Sequence, residues 1–223
     1  MTRSLTVEFY HDVVCAWCFN ISSRLRRLAT EFDLDIQHRT FVLQDSPEEM
    51  RKSWGTPEQA RETILGHWEV CRKASDHPER INIKGMRQAR FNYPHGKVAA
   101  LACKAAEAVS DQTGHWDMFD RLQRAHITEV RNIADRDVVT DLAASLGHDR
   151  VAFRALLSDP ETARRIEADR QHARRFQVRS VPTLIVRETG TRLVNGPVED
   201  LRAQISFATR LAGQREGAVS CVS

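Results

Sequence analysis

Two cysteines three positions apart carry the most legible chemistry of this chain: Cys15 and Cys18, with Ala16 and Trp17 between them. They follow Leu5 to Val14, a run rich in β-branched and aromatic residues, and they precede Phe19 to Phe32, which has helical character. Two cysteines separated by two residues at a strand-to-helix turn form a redox-dithiol pattern. A thiolate at a helix N-terminus is stabilised by free backbone N–H groups and by the positive end of the helix dipole. Cys15 is expected in that place, as the attacking sulfur. Cys18, one turn later on the same side, is expected to lie shielded under the first turn and to resolve the mixed disulfide.

The same spacing is also half of a zinc site, which needs two further ligands. No second C-x-x-C exists, and His67 and Cys71, four apart on an expected helix, are the candidates. An inert pair of core cysteines is the third reading. Placement at a strand end, with Trp17 between the sulfurs, argues against it.

A second constellation is Ser180-Val181-Pro182-Thr183. A proline at the start of a strand cannot donate to the ladder. It is either a plain trans residue or part of a cis Val181–Pro182 bond. In the cis form an unpaired backbone edge lies beside the cysteines, and an extended substrate segment adds as a strand across Val181. His11 and Asp12 come just before Cys15. His11 is expected to support the thiolate through a hydrogen bond or a proton transfer, with strand-end packing as the alternative. Trp17 is expected to be exposed and to contact substrate, with packing on the following helices as the alternative.

The elements that must position these groups read as follows. Residues 5–10 form a strand, 16–31 a helix with Ile21, Leu25, Leu28 and Phe32 on one face, and 34–43 a second strand. Strand, helix, strand implies a parallel pair with a right-handed crossover. From Ser46-Pro47 to about residue 176 the pattern is helical. Segments open at Thr56-Pro57, Lys97, Trp116, Asp135, Asp149 and Asp159-Pro160. Val181–Val186 and Thr191–Asn195 form a hairpin, Val198–Leu211 a last helix, and Gly213–Ser223 a frayed tail. Cys71 and Cys103 fit buried helix positions as small hydrophobes, and Cys221 sits in the tail as a stray or intermolecular thiol. The Arg-rich stretch from Arg164 to Arg175 interleaves with acids and reads as a solvated face.

Composition bounds the rest. The chain has 223 residues, 41% hydrophobic and 28% charged, which suits a soluble domain with a real core. A formal net charge of +3 is too balanced to point to nucleic acid or an acidic membrane surface. No run of about 18 apolar residues is present, so no transmembrane helix is expected. The N-terminal residues lack the apolar core and cleavage site of a signal peptide, which points to the cytoplasm. There disulfides are transient and catalytic, and an odd number of cysteines, five, fits that setting.

With these residues in place, the chain resembles the DsbA family of the thioredoxin superfamily. The shared order is strand, C-x-x-C, helix, strand, helical insertion, Val-Pro-Thr, hairpin and last helix, from about residue 5 to 211. Within it, Asn92-Tyr93-Pro94-His95 and the stretch Ala125 to Asp135 resemble the cytoplasmic branch of polyketide-biosynthesis dithiol-disulfide isomerases. Ala16 replaces the proline that many relatives carry after the first cysteine, while Trp17 is as in that branch. The chromene-carboxylate isomerases and kappa-class glutathione transferases have a similar architecture but usually a serine at the first position.

The resemblance implies an α/β, thioredoxin-like fold with a large helical insertion domain. Residues 1–50 and 173–215 would form the discontinuous thioredoxin-like domain, 51–172 the insertion and 216–223 a flexible tail. It implies thiol-disulfide exchange with protein or small-molecule thiol substrates, through Cys15 and Cys18. Val181, Pro182 and Trp17 would contact substrate, and Pro182 would fill the space a metal on the cysteines needs. No metal or organic cofactor is expected, with glutathione or another low-molecular-weight thiol as a co-substrate. The oligomeric state would be monomer or homodimer. Two rival readings stand beside this one: a glutathione-type isomerase or transferase that uses Cys15 without a redox cycle, and a non-enzymatic binding module that uses the groove.

Overall fold

The computed structural model of the chain describes residues 4–220, with side chains through residue 214. Residues 1–3 and 221–223 lie outside the described residues, and with them the reading of Cys221. Strand β1 (Leu5–His11) pairs in parallel with β2 (Leu34–Thr40), with Leu5 opposite Leu34 and His11 opposite Thr40. Helix α1 (Ala16–Leu28) makes the crossover between them. Strand β3 (Thr183–Val186) runs antiparallel to β1, and β4 (Thr191–Leu193) closes the hairpin, giving the order β2-β1-β3-β4. The sheet is thus assembled from both ends of the chain. Both strands of the hairpin are shorter than the sequence suggested: Val181 and Pro182 precede β3, and β4 stops at Leu193.

Between β2 and β3 the chain is helical. Helix α2 (Pro47–Trp54) starts where Ser46 Oγ accepts the Glu49 N–H, and α3 (Pro57–Lys73) where Thr56 and Gln59 cap each other's backbone. Aspartates 135, 149 and 159 cap α6 (Arg136–Ala144), α7 (Arg150–Leu156) and α8 (Pro160–Arg175). The short α4 (Ile83–Arg87) was not legible, because five residues are too few to show a period. The last helix, α9 (Val198–Ser220), runs on through the stretch read as frayed. A glycine such as Gly213 costs a helix about 1 kcal/mol relative to alanine, and no proline follows it to end the helix.

The long α5 (Lys97–Gln123) is two helices in one. Ser110 and Asp111 leave helical geometry, and Asp111 takes φ 52, in the left-handed region. The second half folds back so closely that a Cβ on Gly114 would lie 2.6 Å from the Ala106 carbonyl oxygen. The two helices expected from Lys97 and from Trp116 are these two arms.

Period two along β1 sorts its side chains onto two faces. Phe9 and His11 pack on α5, with Phe119 against both rings. Glu8 and Tyr10 face α8, where Tyr10 Oη lies 2.7 Å from His172 Nδ1. One apolar cluster runs from the sheet through α1, α3, α5, α6 and α9, so the insertion and the sheet share a core.

Charge also crosses this junction. Lys104 on α5 is 2% exposed, and its Nζ lies 2.7 Å from Glu107 and 2.6 Å from Asp169 on α8. Asp169 in turn accepts the Thr40 N–H at 2.9 Å, at the end of β2. Removing one member of a buried ion group strands the others without compensation, at a cost of about 3–5 kcal/mol. Lys104→Met is therefore expected to lower unfolding free energy by about that much. Urea titration of the variant against the parent measures it.

Candidate active site

Cys15 is the N-cap of α1, with extended backbone (φ −85, ψ 110), and its Sγ accepts the Cys18 N–H at 3.4 Å. The sulfur is half-buried, and its S–H reaches the Val181 carbonyl oxygen at 3.8 Å. The Val181–Pro182 peptide is cis. Cys18 is fully buried, and both cysteines are free thiols in this structure. Burial, and then the neighbouring Cys15, push the Cys18 thiol well above its ordinary range, while the Asp12 backbone N–H acts in the opposite sense. The two sulfurs thus sit in different surroundings: one half-open, capping a helix and facing a backbone edge, the other enclosed.

The turn that carries them is held from the helical region. Gln123, at the C-terminal end of α5, donates from Nε2 to the carbonyls of Val13 (3.1 Å) and Cys15 (2.9 Å). Between those two, Val14 gives its carbonyl to Tyr93 Oη at 3.1 Å. Three successive carbonyls that leave the sheet ladder each find a side-chain donor. Tyr93 is backed by His126, whose Nε2 lies 3.1 Å from the hydroxyl, and Trp68 packs edge-on to both rings. Burial holds the His126 imidazole down to about 3, so it stays neutral there.

Asp12 holds the other side of the turn. Its Oδ1 accepts the Val14 N–H (3.2 Å), its Oδ2 the Leu43 N–H (2.7 Å), and its carbonyl the Cys15 N–H (3.1 Å). Burial pushes the carboxyl up to about 6, against the pull of those backbone donors. Gly96, the N-cap of α5, lies directly on it: an added Cβ would sit 2.5 Å from Oδ1.

The structure brings Cys15, Cys18 and Val181 together, with Pro182 following in the cis bond. Trp17 is half-buried against the main core, rather than fully exposed. His11 is a correction. Its hydrogen bonds go to His38 Nδ1 (3.3 Å) and His115 Nε2 (3.1 Å), not to either thiol, because strand alternation turns it inward with Phe9. His67 is exposed, with its ring beside Trp54, and Cys71 is buried and accepts from Asn20 Nδ2 at 3.2 Å. Burial raises the Cys71 thiol to about 12, and Cys103 is likewise enclosed and raised. Neither His67 nor Cys71 belongs to a cluster of potential metal ligands; among the described residues such a cluster forms instead from His11, His38 and His115. Sequence reasoning missed Gln123, Tyr93 as a hydrogen-bond donor, and the histidine cluster. Each depends on contacts between segments far apart in the chain, and no local spacing announces them.

A family model described as a DSBA-like thioredoxin domain matches residues 6–206. The chain is 24% identical over 193 residues to the ClpXP adapter protein SpxH of Shouchella clausii (strain KSM-K16), covering 82% of this chain and 58% of that one. It therefore spans a little over half the length of that curated relative. Among solved structures it resembles the cytosolic disulfide reductase DsbM from Pseudomonas aeruginosa, at 25% identity and TM-score 0.73, over 93% of this chain and all of the other. A second structure of DsbM, with GSH, matches at 24% identity and TM-score 0.73, over 92% of this chain and all of that one.

Two outcomes test the grip on the turn. Gln123→Leu leaves the Val13 and Cys15 carbonyls without their donor and is expected to cost about 2 kcal/mol. Hydrogen exchange should speed up at the Cys18 and Phe19 amides that start α1. For Asp12, the folded carboxyl titrates above its unfolded value near 3.9, so its contribution to stability is full below about pH 4 and is lost as pH rises through about 6. The unfolding free energy of the parent relative to Asp12→Asn should therefore fall between pH 4 and pH 6, by on the order of 3 kcal/mol, in denaturant titrations at stepped pH.

Proposed function

The chain belongs to the DSBA-like thioredoxin domain family, and from that premise we propose that it is a thiol-disulfide oxidoreductase acting through a Cys15–Cys18 dithiol. The observation that carries the reading is the pair of unlike sulfurs: Cys15 capping α1 and facing the Val181 carbonyl, Cys18 buried one turn below. In the reductive direction, the Cys15 thiolate attacks one sulfur of a partner disulfide. A Cys15–partner S–S bond forms, the partner's S–S bond breaks, and its second sulfur leaves as a thiolate. Cys18 then gives up its proton and attacks Cys15 Sγ, releasing the partner as a dithiol and leaving a Cys15–Cys18 disulfide. Two electrons from a thiol donor reset the pair.

The likeness to a cytosolic disulfide reductase, also solved with GSH, supports a reductive cycle in the cytoplasm fed by a small thiol such as glutathione. Two cavities are lined by residues that hold or follow the turn, though neither is lined by Cys15, Cys18, Val181 or Pro182. Tyr93 lines a cavity of about 280 Å³ with Met50, Pro57 and His95. Phe19 and Asn20, just after Cys18, line a polar one of about 650 Å³ with Arg26, Arg80 and Arg124. Asp120 lines the same cavity, and each of these arginines faces a carboxylate: Arg26 with Asp117 and Asp120, Arg80 with Glu79 and Arg124 with Glu129. An extended partner would lie against Val181, and Trp17 would border it.

The test is a redox titration of the purified protein in glutathione buffers, reading the two thiols by alkylation and mass spectrometry. A reversible two-electron transition of Cys15 with Cys18 is expected. Cys15→Ser should abolish reduction of a model disulfide, and Cys18→Ser should accumulate a mixed disulfide on Cys15. A pair that never oxidises, in a protein whose turnover survives Cys18→Ser, would overturn the proposal in favour of a thiol-dependent isomerase or transferase.

A further inference from the structure

We propose that His11, His38 and His115 form a binding site for a divalent transition-metal ion of the zinc class, separate from the dithiol. The three residues come from β1, β2 and the second arm of α5 and are at most 1% exposed. His11 Nε2 lies 3.3 Å from His38 Nδ1 and 3.1 Å from His115 Nε2. The ring centroids are 5.2, 5.1 and 4.9 Å apart, nearly an equilateral triangle. Imidazoles bound at about 2.0–2.1 Å to one tetrahedral ion place their nitrogens about 3.3 Å and their centroids about 5 Å apart. The centroid spacing and the two His11 separations fit that geometry, and one nitrogen from each of the three rings lies within 4.8 Å of the other two.

Hydrogen bonding alone does not account for this geometry. His115 Nδ1 lies 2.6 Å from Glu107 Oε2, which fixes the proton on Nδ1 and leaves a lone pair on Nε2. His11 Nε2 must then donate to His115. His38 Nδ1 is left to share that same proton or to set a second proton against it. One ring nitrogen serves one in-plane hydrogen bond, so two close contacts on His11 Nε2 are one too many. A cation shared by the three rings would remove the conflict, because it accepts a lone pair from each nitrogen and needs no proton between them. Glu107 becomes the outer carboxylate behind a metal-bound imidazole. Lys104, the ammonium beside this cluster, is held by both Glu107 and Asp169, and Asp169 also pairs with Arg39, so the neighbouring positive charge is neutralised by carboxylates. Among the described residues His11 Nδ1 and His38 Nε2 have no hydrogen-bond partner, so one ligand of three is oriented from outside, a weaker site than one with three such partners.

The test uses the full chain carrying Cys15→Ser and Cys18→Ser, so that no dithiol competes for metal. The protein is unfolded, stripped with chelator and refolded with Co2+ or Zn2+, because full burial of the ligands closes the folded site to exchange. One equivalent bound per chain is expected. The cobalt form should show tetrahedral visible bands without sulfur charge transfer, and X-ray absorption of the zinc form should show imidazole scattering. Glu107→Gln should weaken binding about 10- to 100-fold, and His38→Phe should abolish stoichiometric binding. Absence of a bound equivalent with all three histidines present overturns the proposal, whether or not His38→Phe folds. So does an equivalent that His38→Phe, folded by circular dichroism, still retains.

Discussion

The arrangement of this molecule depends on the backbone of one short turn, where β1 ends and α1 begins. Its carbonyls have left the sheet and its first amides have not yet entered a helical ladder, so each needs a partner from elsewhere. Gln123 and Tyr93 supply the donors, and the Asp12 carboxylate supplies acceptors. With the backbone fixed on both sides, Cys15 Sγ has one consistent surrounding: the Cys18 N–H on one side and the Val181 carbonyl on the other. Side chains of the insertion thus take part in shaping a site whose sulfurs belong to the sheet half.

That dependence explains why the junction between the two halves is so heavily connected. The apolar core is continuous across it, and a chain of charges runs from Glu8 through Arg39 and Asp169 to Lys104 and Glu107. Buried charges contribute little net stability, but they tolerate few alternative alignments. Each carboxylate here binds in two or more directions at once: Asp169 meets Lys104, Arg39 and the Thr40 N–H, and Glu8 meets Arg39 and Arg187. The result is a fixed registry between α5, α8 and the sheet, on which the placement of Gln123 relies.

Much of this fold could be read from the chain because its signals are local. The C-x-x-C sits where a strand pattern gives way to a helix pattern, and both patterns are strong. Ser46-Pro47, Thr56-Pro57, Asp135, Asp149 and Asp159-Pro160 mark helix starts by side-chain chemistry that acts within three residues. Signals that failed were those in which a residue's meaning is set by a distant neighbour. His11 was placed by its nearness in sequence to Cys15, but the pleat turns it to the opposite company of His38 and His115. Gln123 looked like any polar residue near a helix end. Gly213 looked like a stop because glycine often is one, yet α9 continues past it to Ser220.

The fold-back of α5 at Ser110 and Asp111 has a mechanical consequence. A straight helix of 27 residues would be about 40 Å long, so its two ends could not touch the same short turn. Here they do: Gly96 rests on the Asp12 carboxylate, and Gln123 holds the carbonyls on either side of Val14. The two arms form a pair of tongs closed on the dithiol turn, with the left-handed Asp111 at the pivot and Gly114 letting the arms meet near it. One folded helical segment therefore meets the cysteine turn at both of its ends, and the bend that makes this possible lies away from the sulfurs.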